Sequence, residues 1–147
     1  MRRSQEGQVA GLEGLLFGVL LFVFGTLLLV NAWAVVDAKL AASAAAREAT
    51  RSFVEAGSTD RARAEAEAAG RRAFAGYGRT LDRADVRLLE GALARCARVT
   101  FEAAYRLPAL RVPVLGGLGS GFRVAARHSE VVDPHRSGLP GEGDCAG

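Results

Sequence analysis

The chain has 147 residues, half of them apolar, and a net charge of +3. Assigning about a quarter of it to an apolar N-terminal segment leaves roughly 110 residues, enough for one compact domain and no more. Ala and Gly supply much of the apolar fraction and aromatics only 7%, so the expected core is thin and made of short side chains. Basic and acidic residues interleave, with Glu65 and Glu67 inside the arginine-rich stretch 61–72. That pattern is a solvated surface and argues against the concentrated basic stripe of a nucleic-acid binder.

No charged residue lies between Glu13 and Asp37. As a helix, residues 14–36 would measure about 35 Å at 1.5 Å per residue, more than the ~30 Å hydrocarbon layer of a bilayer. The segment is therefore expected to be a transmembrane helix, with Thr26 and Asn31 as tolerated polar interruptions and Trp33 at the far interface. A competing reading is a secretory signal cleaved after Ala34, since Arg2 and Arg3 precede the segment and Ala32-Trp33-Ala34 fits an A-x-A site; an h-region of about 7 to 15 residues would, however, be shorter. Charge counts do not orient the segment, because Lys39, Arg47 and Arg51 on one side balance Arg2 and Arg3 on the other. The short leading tail and the cysteines in the larger part favour a cytoplasmic N-terminus and an extracytoplasmic C-terminal part. Gly11, Gly18 and Gly25 recur every seven residues, and Gly14 with Gly18 forms a G-x-x-x-G that lets a second helix approach closely. Glu13 interrupts an apolar stretch that begins at Val9. A carboxylate there either marks the headgroup level or needs a positive partner.

The helical pattern continues over 37–56, with Ala38, Ala42, Ala45, Ala49 and Phe53 on one face. Gly57 ends or bends it. Ser58-Thr59-Asp60 supplies N-cap chemistry for a second helix to about Tyr77, with Gly76 and Gly78 as stop signals. The period then changes to two. Val99, Phe101, Ala103, Tyr105 and Leu107 alternate with polar residues, Phe122, Val124 and Ala126 do likewise, and a weaker strand covers 86–89. Between the two clear strands lies a long loop whose Val112, Val114, Leu115 and Leu118 form a contact patch or fold onto the core. Asp133-Pro134 with Arg136 reads as a strand-ending turn with a salt bridge, a binding corner being the alternative. The tail from Pro134 is expected to be irregular. Cys96 and Cys145 lack metal-ligand spacing; a disulfide tying the tail to a strand is the expected state, with free thiols or pairing to another chain as alternatives.

No catalytic signature is present. His128 and His135 sit in no metal-spaced cluster, and the glycines at 116, 117, 119 and 121 lack the Lys-Ser/Thr or helix start that phosphate cradling needs. A non-enzyme without cofactor or metal is expected.

The stretch GQVAGLEGLLFGVLLFVFGTLLL followed by AAREATR resembles the TadE-like minor pseudopilins of tight-adherence pilus systems, of the actinobacterial type, over about the first 55 residues; the VVDPHRSG tail is compatible with it. The resemblance implies an α+β, pilin-like chain: a leader-like segment 1–13, a transmembrane helix 14–36, an extracytoplasmic head 37–133 with a short antiparallel sheet, and a Gly/Pro-rich tail 134–147. It further implies a single-pass cell-membrane protein whose partners are other pilin-like subunits, the pilus assembly machinery and a prepilin peptidase. Glu13 matches the family's acid, which pairs with the freed amine of a neighbouring subunit and sets register. Gly14, Gly18 and Gly25 are by their spacing the candidates for close packing, the alternative being the ordinary abundance of glycine in membrane helices. Processing would fall at Gly7 and Gln8. A chain beginning at Gln8 puts Glu13 sixth rather than at the family's fifth position, whereas a cut after Gln8 restores the fifth position and loses the glycine. The rival functions are a bitopic envelope protein that binds a partner through its head, and a small secreted domain released after Ala34.

Overall fold

The computed structural model of the protein describes residues 6–112, 114–119, 121–141, 143 and 145, with side chains from Glu13 onward. A single unbroken helix, α1, runs Glu6–Val54, and α2 follows at Thr59–Gly76. A short 3-10 turn at Leu81–Arg83 leads into strands β1 (Ala84–Glu90), β2 (Arg98–Leu107), β3 (Leu110–Val112), β4 (Gly116–Leu118) and β5 (Phe122–Val131). β1, β2 and β5 form an antiparallel sheet in that order with β2 central, and β3 pairs with β4 as a separate hairpin. The class is α+β: a long apolar N-terminal helix, a second helix and a small antiparallel sheet.

The alanine stripe explains how α1 joins the rest. Ala38, Ala41, Ala42, Ala45, Ala46 and Ala49 are wholly buried, and Phe53 nearly so. Side chains this short bring backbones close, so α1 and α2 both lie on one face of the sheet in contact with each other. α2 meets α1 through Ala62, Ala66, Gly70 and Phe74, a stripe at four-residue spacing. At Gly70 a Cβ would stand 2.9 Å from Val86 Cγ1 and 3.1 Å from the Ala45 carbonyl oxygen, so only glycine fits between α1 and β1. The larger side chains fill the gap between helices and sheet, with Phe53 against Phe101 at 5.4 Å between ring centroids and Phe74 against Tyr105 at 5.7 Å. These two aromatic contacts over an alanine floor make the thin core that composition implies.

The exit of α1 from its apolar half is fixed by charge. Asp37 pairs with Arg79, whose guanidinium lies 5.2 Å above the Tyr105 ring. Lys39 of α1 donates to the carbonyl of Ala125 on the edge strand β5, which ties the helix to that strand. At the other end, Arg136 Nη2 donates to the carbonyls of Glu55 (2.5 Å) and Ala56 (2.8 Å) and satisfies the C-terminus of α1.

Several expectations need correction. The stretch between the clear strands is not a plain loop, because β3 and β4 pair within it. Ser58 takes the N-cap position of α2 and its carbonyl accepts from the Ala62 N–H, but its hydroxyl makes no capping bond. Cys96 does pair with Cys145, yet it sits in the turn before β2 rather than on a strand, at φ 60°. That turn is held by bonds from Cys96 N–H to the Val132 carbonyl and from Val132 N–H to the Ala97 carbonyl, both 3.0 Å. Asp133 does begin a turn, accepting from the His135 N–H at 2.8 Å, but Arg136 caps α1 instead of bridging to it.

Replacing Gly70 with Leu is expected to lower stability by about 2 to 3 kcal/mol, read as a shift of the urea midpoint of the detergent-solubilised protein at unchanged slope.

Candidate membrane and assembly surface

Along α1 the environment changes in steps. Every described side chain over 13–26 is exposed, including Leu15, Leu16, Phe17, Phe22 and Phe24. From Leu27 a half-buried stripe appears at Leu27, Val30, Asn31, Ala34 and Val35, and it continues as the fully buried alanine stripe from Ala38. A helix apolar on all sides and covered on none has no stable place in water. α1 is the one helix among the described residues long and apolar enough to cross a membrane, on length and composition.

The residues that the sequence offers as assembly candidates fall on this open part. Glu13 is exposed at the start of it. A Cβ added at Gly14, Gly18 or Gly25 would meet nothing within 4 Å, and at about 100° per residue the three lie within roughly 40° of one another around the helix. They form one unoccupied face, and at its upper end Gly25 borders a cleft shared with the hairpin. That cleft, about 720 Å³, lies between Leu21, Phe24 and Leu28 of α1 and Pro108, Leu110 and Phe122. Gly7 and Gln8 belong to the first turns of α1, with side chains outside the described residues, and Arg2 and Arg3 lie outside them entirely.

Asn31 is the residue that sequence reasoning undervalued. Its Oδ1 accepts from the Arg111 N–H at 2.7 Å, while its Nδ2 donates to the Arg111 carbonyl at 3.1 Å and to the Leu27 carbonyl at 2.8 Å. One carboxamide thus satisfies the open edge of β3 and itself. A polar residue that reads as an interruption of the apolar segment is the pin that holds the hairpin to it.

A second concentration of charge lies on the outer face of the sheet. Glu102, central on β2 and 3% exposed, accepts from Arg87 at 2.9 Å, Arg123 at 2.6 Å and Arg127 at 3.0 Å. The Arg123 bond first, then those from Arg127 and Arg87, hold its carboxyl down from 4.5 to about 2 against the opposing effect of burial; the same bond raises the Arg123 guanidinium. Asp85 adds a further acid 3.5 Å from Arg123. Alternation marks Glu102 as a solvent-side residue, and it is on that side; the cross-strand arginines are what cover it, at register positions a sequence alone does not give. The cluster ties β1, β2 and β5 together and presents no unpaired acid to a reacting group.

His128 lies 3.1 Å from Glu130, and among the described residues no three His, Cys, Asp or Glu side chains group closely enough to hold a metal ion. Comparison with protein-family models, with curated proteins and with solved structures finds no match.

Because Glu102 ionises far below its ordinary value, its contribution is complete above about pH 4.5 and is lost as the pH falls toward 2. With the arginines partly exposed and screened, Glu102→Gln is expected to cost on the order of 2 kcal/mol at pH 7. Urea titrations of the two proteins at falling pH should converge as pH 2 is approached.

Proposed function

We propose that this chain is a non-catalytic, TadE-like minor pseudopilin: a single-pass protein of the cell membrane with its N-terminus cytoplasmic and its head extracytoplasmic. It assembles with other pilin-like subunits through α1. The observation that carries the reading is the continuity of α1, whose first half is apolar around its whole circumference and whose second half is the floor of the head. A subunit built this way leaves its anchor and its packing face free for neighbours. A tethered domain would need only the anchor.

Within this reading residues 15–35 anchor the chain, Glu13 sets register against a neighbour's N-terminal amine, and Gly14, Gly18 and Gly25 admit a neighbouring helix. A carboxylate in or beside the hydrocarbon is costly without such a partner. The outer sheet face and the tail, stapled by Cys96–Cys145, are the surfaces left for the exterior of a fibre or its base, which fits an extracytoplasmic, disulfide-permissive compartment. A prepilin peptidase acting at Gly7 would free Gln8 as the first residue.

The rival with a feature of its own to recommend it is a bitopic envelope protein that binds a partner through its head, since Val114, Leu115 and Leu118 of the hairpin stand exposed. Genomic neighbours encoding a secretion ATPase and other short pilin-like chains favour the pseudopilin; their absence favours the rival.

Glu13→Ala is expected to reduce co-purification of pilin-like subunits about tenfold or more while membrane attachment and head stability are unchanged. Co-purification at wild-type levels would remove the register role. Intact-mass analysis of the membrane-extracted protein should give a chain starting at Gln8, and retention of Met1 or Arg2 would contradict processing there.

A further inference from the structure

The hairpin β3–β4 is unusual in its residues and in its place. Between Val112 and Gly116, which pair across it, the turn carries Val114 and Leu115 where hairpin turns ordinarily carry Asn, Asp or Gly. Val114 adopts φ 72°, a left-handed conformation that a β-branched side chain rarely takes, and its side chain is fully exposed. Leu115 is 78% exposed and Leu118 53%. In water this arrangement combines backbone strain with unburied apolar surface and gains nothing from either.

Its position supplies the reason. Asn31 holds Arg111 of β3 six residues before Asp37, which is about 9 Å along the helix axis toward the N-terminus. The half-buried stripe on α1 begins still earlier, at Leu27, so the cover over α1 overlaps the last ten residues of the apolar segment, about 15 Å of helix. Arg111 shares a groove with Trp33 and Asp37, the arrangement of a cation that reaches back toward the interface while its backbone lies deeper. The edge of β3 that faces α1 is satisfied by Asn31, and the cleft between hairpin and helix is apolar and open. A lone hairpin cannot go far into hydrocarbon, because the outer edge of β4 keeps backbone groups that need water or headgroups.

We propose that the β3–β4 hairpin is a second membrane contact, which seats Val114, Leu115 and Leu118 among lipids at the boundary between headgroups and acyl chains on the extracytoplasmic side. The occupant of this apolar tip is the lipid bilayer, continuous with the lipid around α1. Two contacts in place of one fix the tilt and rotation of the head relative to the membrane, which a single helix leaves free. The proposal rests on the reading of α1 as a membrane span, and its test separates the two.

The test is tryptophan quenching by lipids brominated on their acyl chains, with the full-length protein in phosphatidylcholine vesicles. Trp33 is the only tryptophan and reports on the anchor in the wild type. Leu115→Trp and, separately, Leu118→Trp in a Trp33→Phe background report on the hairpin, and Leu89→Trp at the far end of the sheet reports on the head. The expected result is quenching at positions 115 and 118 within about twofold of that at Trp33 and none at position 89. Quenching at Trp33 with none at 115 or 118 would overturn the hairpin proposal and leave the anchor intact, and it is also the result if another copy or a partner protein covers the tip. No quenching at Trp33 would overturn the span itself, and the hairpin proposal with it.

Discussion

One helix presents two different surfaces, and on the proposed reading two different solvents cover them. Over residues 14–36 α1 offers apolar side chains in every direction, and over 38–53 it offers them in one. A bilayer meets the first demand and a packed head the second, and nothing in the backbone separates the two halves. Three polar ties sit at that junction: Arg79 pairs with Asp37 where the charge-free stretch ends, Lys39 binds the edge of β5 two residues on, and Asn31 pins the hairpin six residues before. The polar residues at the junction are therefore the ones that fix how the head stands on the helix.

The head is held by close approach more than by volume. Alanines at 38, 42, 45 and 49 and the glycine at 70 bring α1, α2 and the sheet together, and Phe53, Phe74, Phe101 and Tyr105 supply most of the bulk. A core this thin gains from ties outside it. The Cys96–Cys145 disulfide fastens the tail to the turn before β2, Arg136 closes the end of α1, and Glu102 binds three arginines across all three strands of the sheet.

Much of this was legible in the residues. The charge-free run, the alanine face, the second helix and the two long strands follow from periods of 3.6 and 2 that burial imposes over many positions. What escaped was set by single contacts between distant segments. Asn31 reads as an interruption because its partner is 80 residues away. Glu102 reads as solvated because the arginines that cover it arrive only with strand register. β3 and β4 are three residues each, too short for a periodic signal, and Cys96 reads as part of a strand because its left-handed φ of 60° falls on a residue that is not glycine. Of the candidate assembly residues, sequence supplied the identities, and the fold adds that Gly14, Gly18 and Gly25 share one open face.

The continuity of α1 across the junction can be tested by hydrogen–deuterium exchange of the full-length protein in lipid nanodiscs, read amide by amide from 14 to 53. The expected result is unbroken protection, from lipid over 14–36 and from the head over 38–53, with no fast-exchanging joint near Asp37. Rapid exchange over 14–36 while the head stays protected, or a fast joint at 35–38, would contradict a single helix shared by membrane and head.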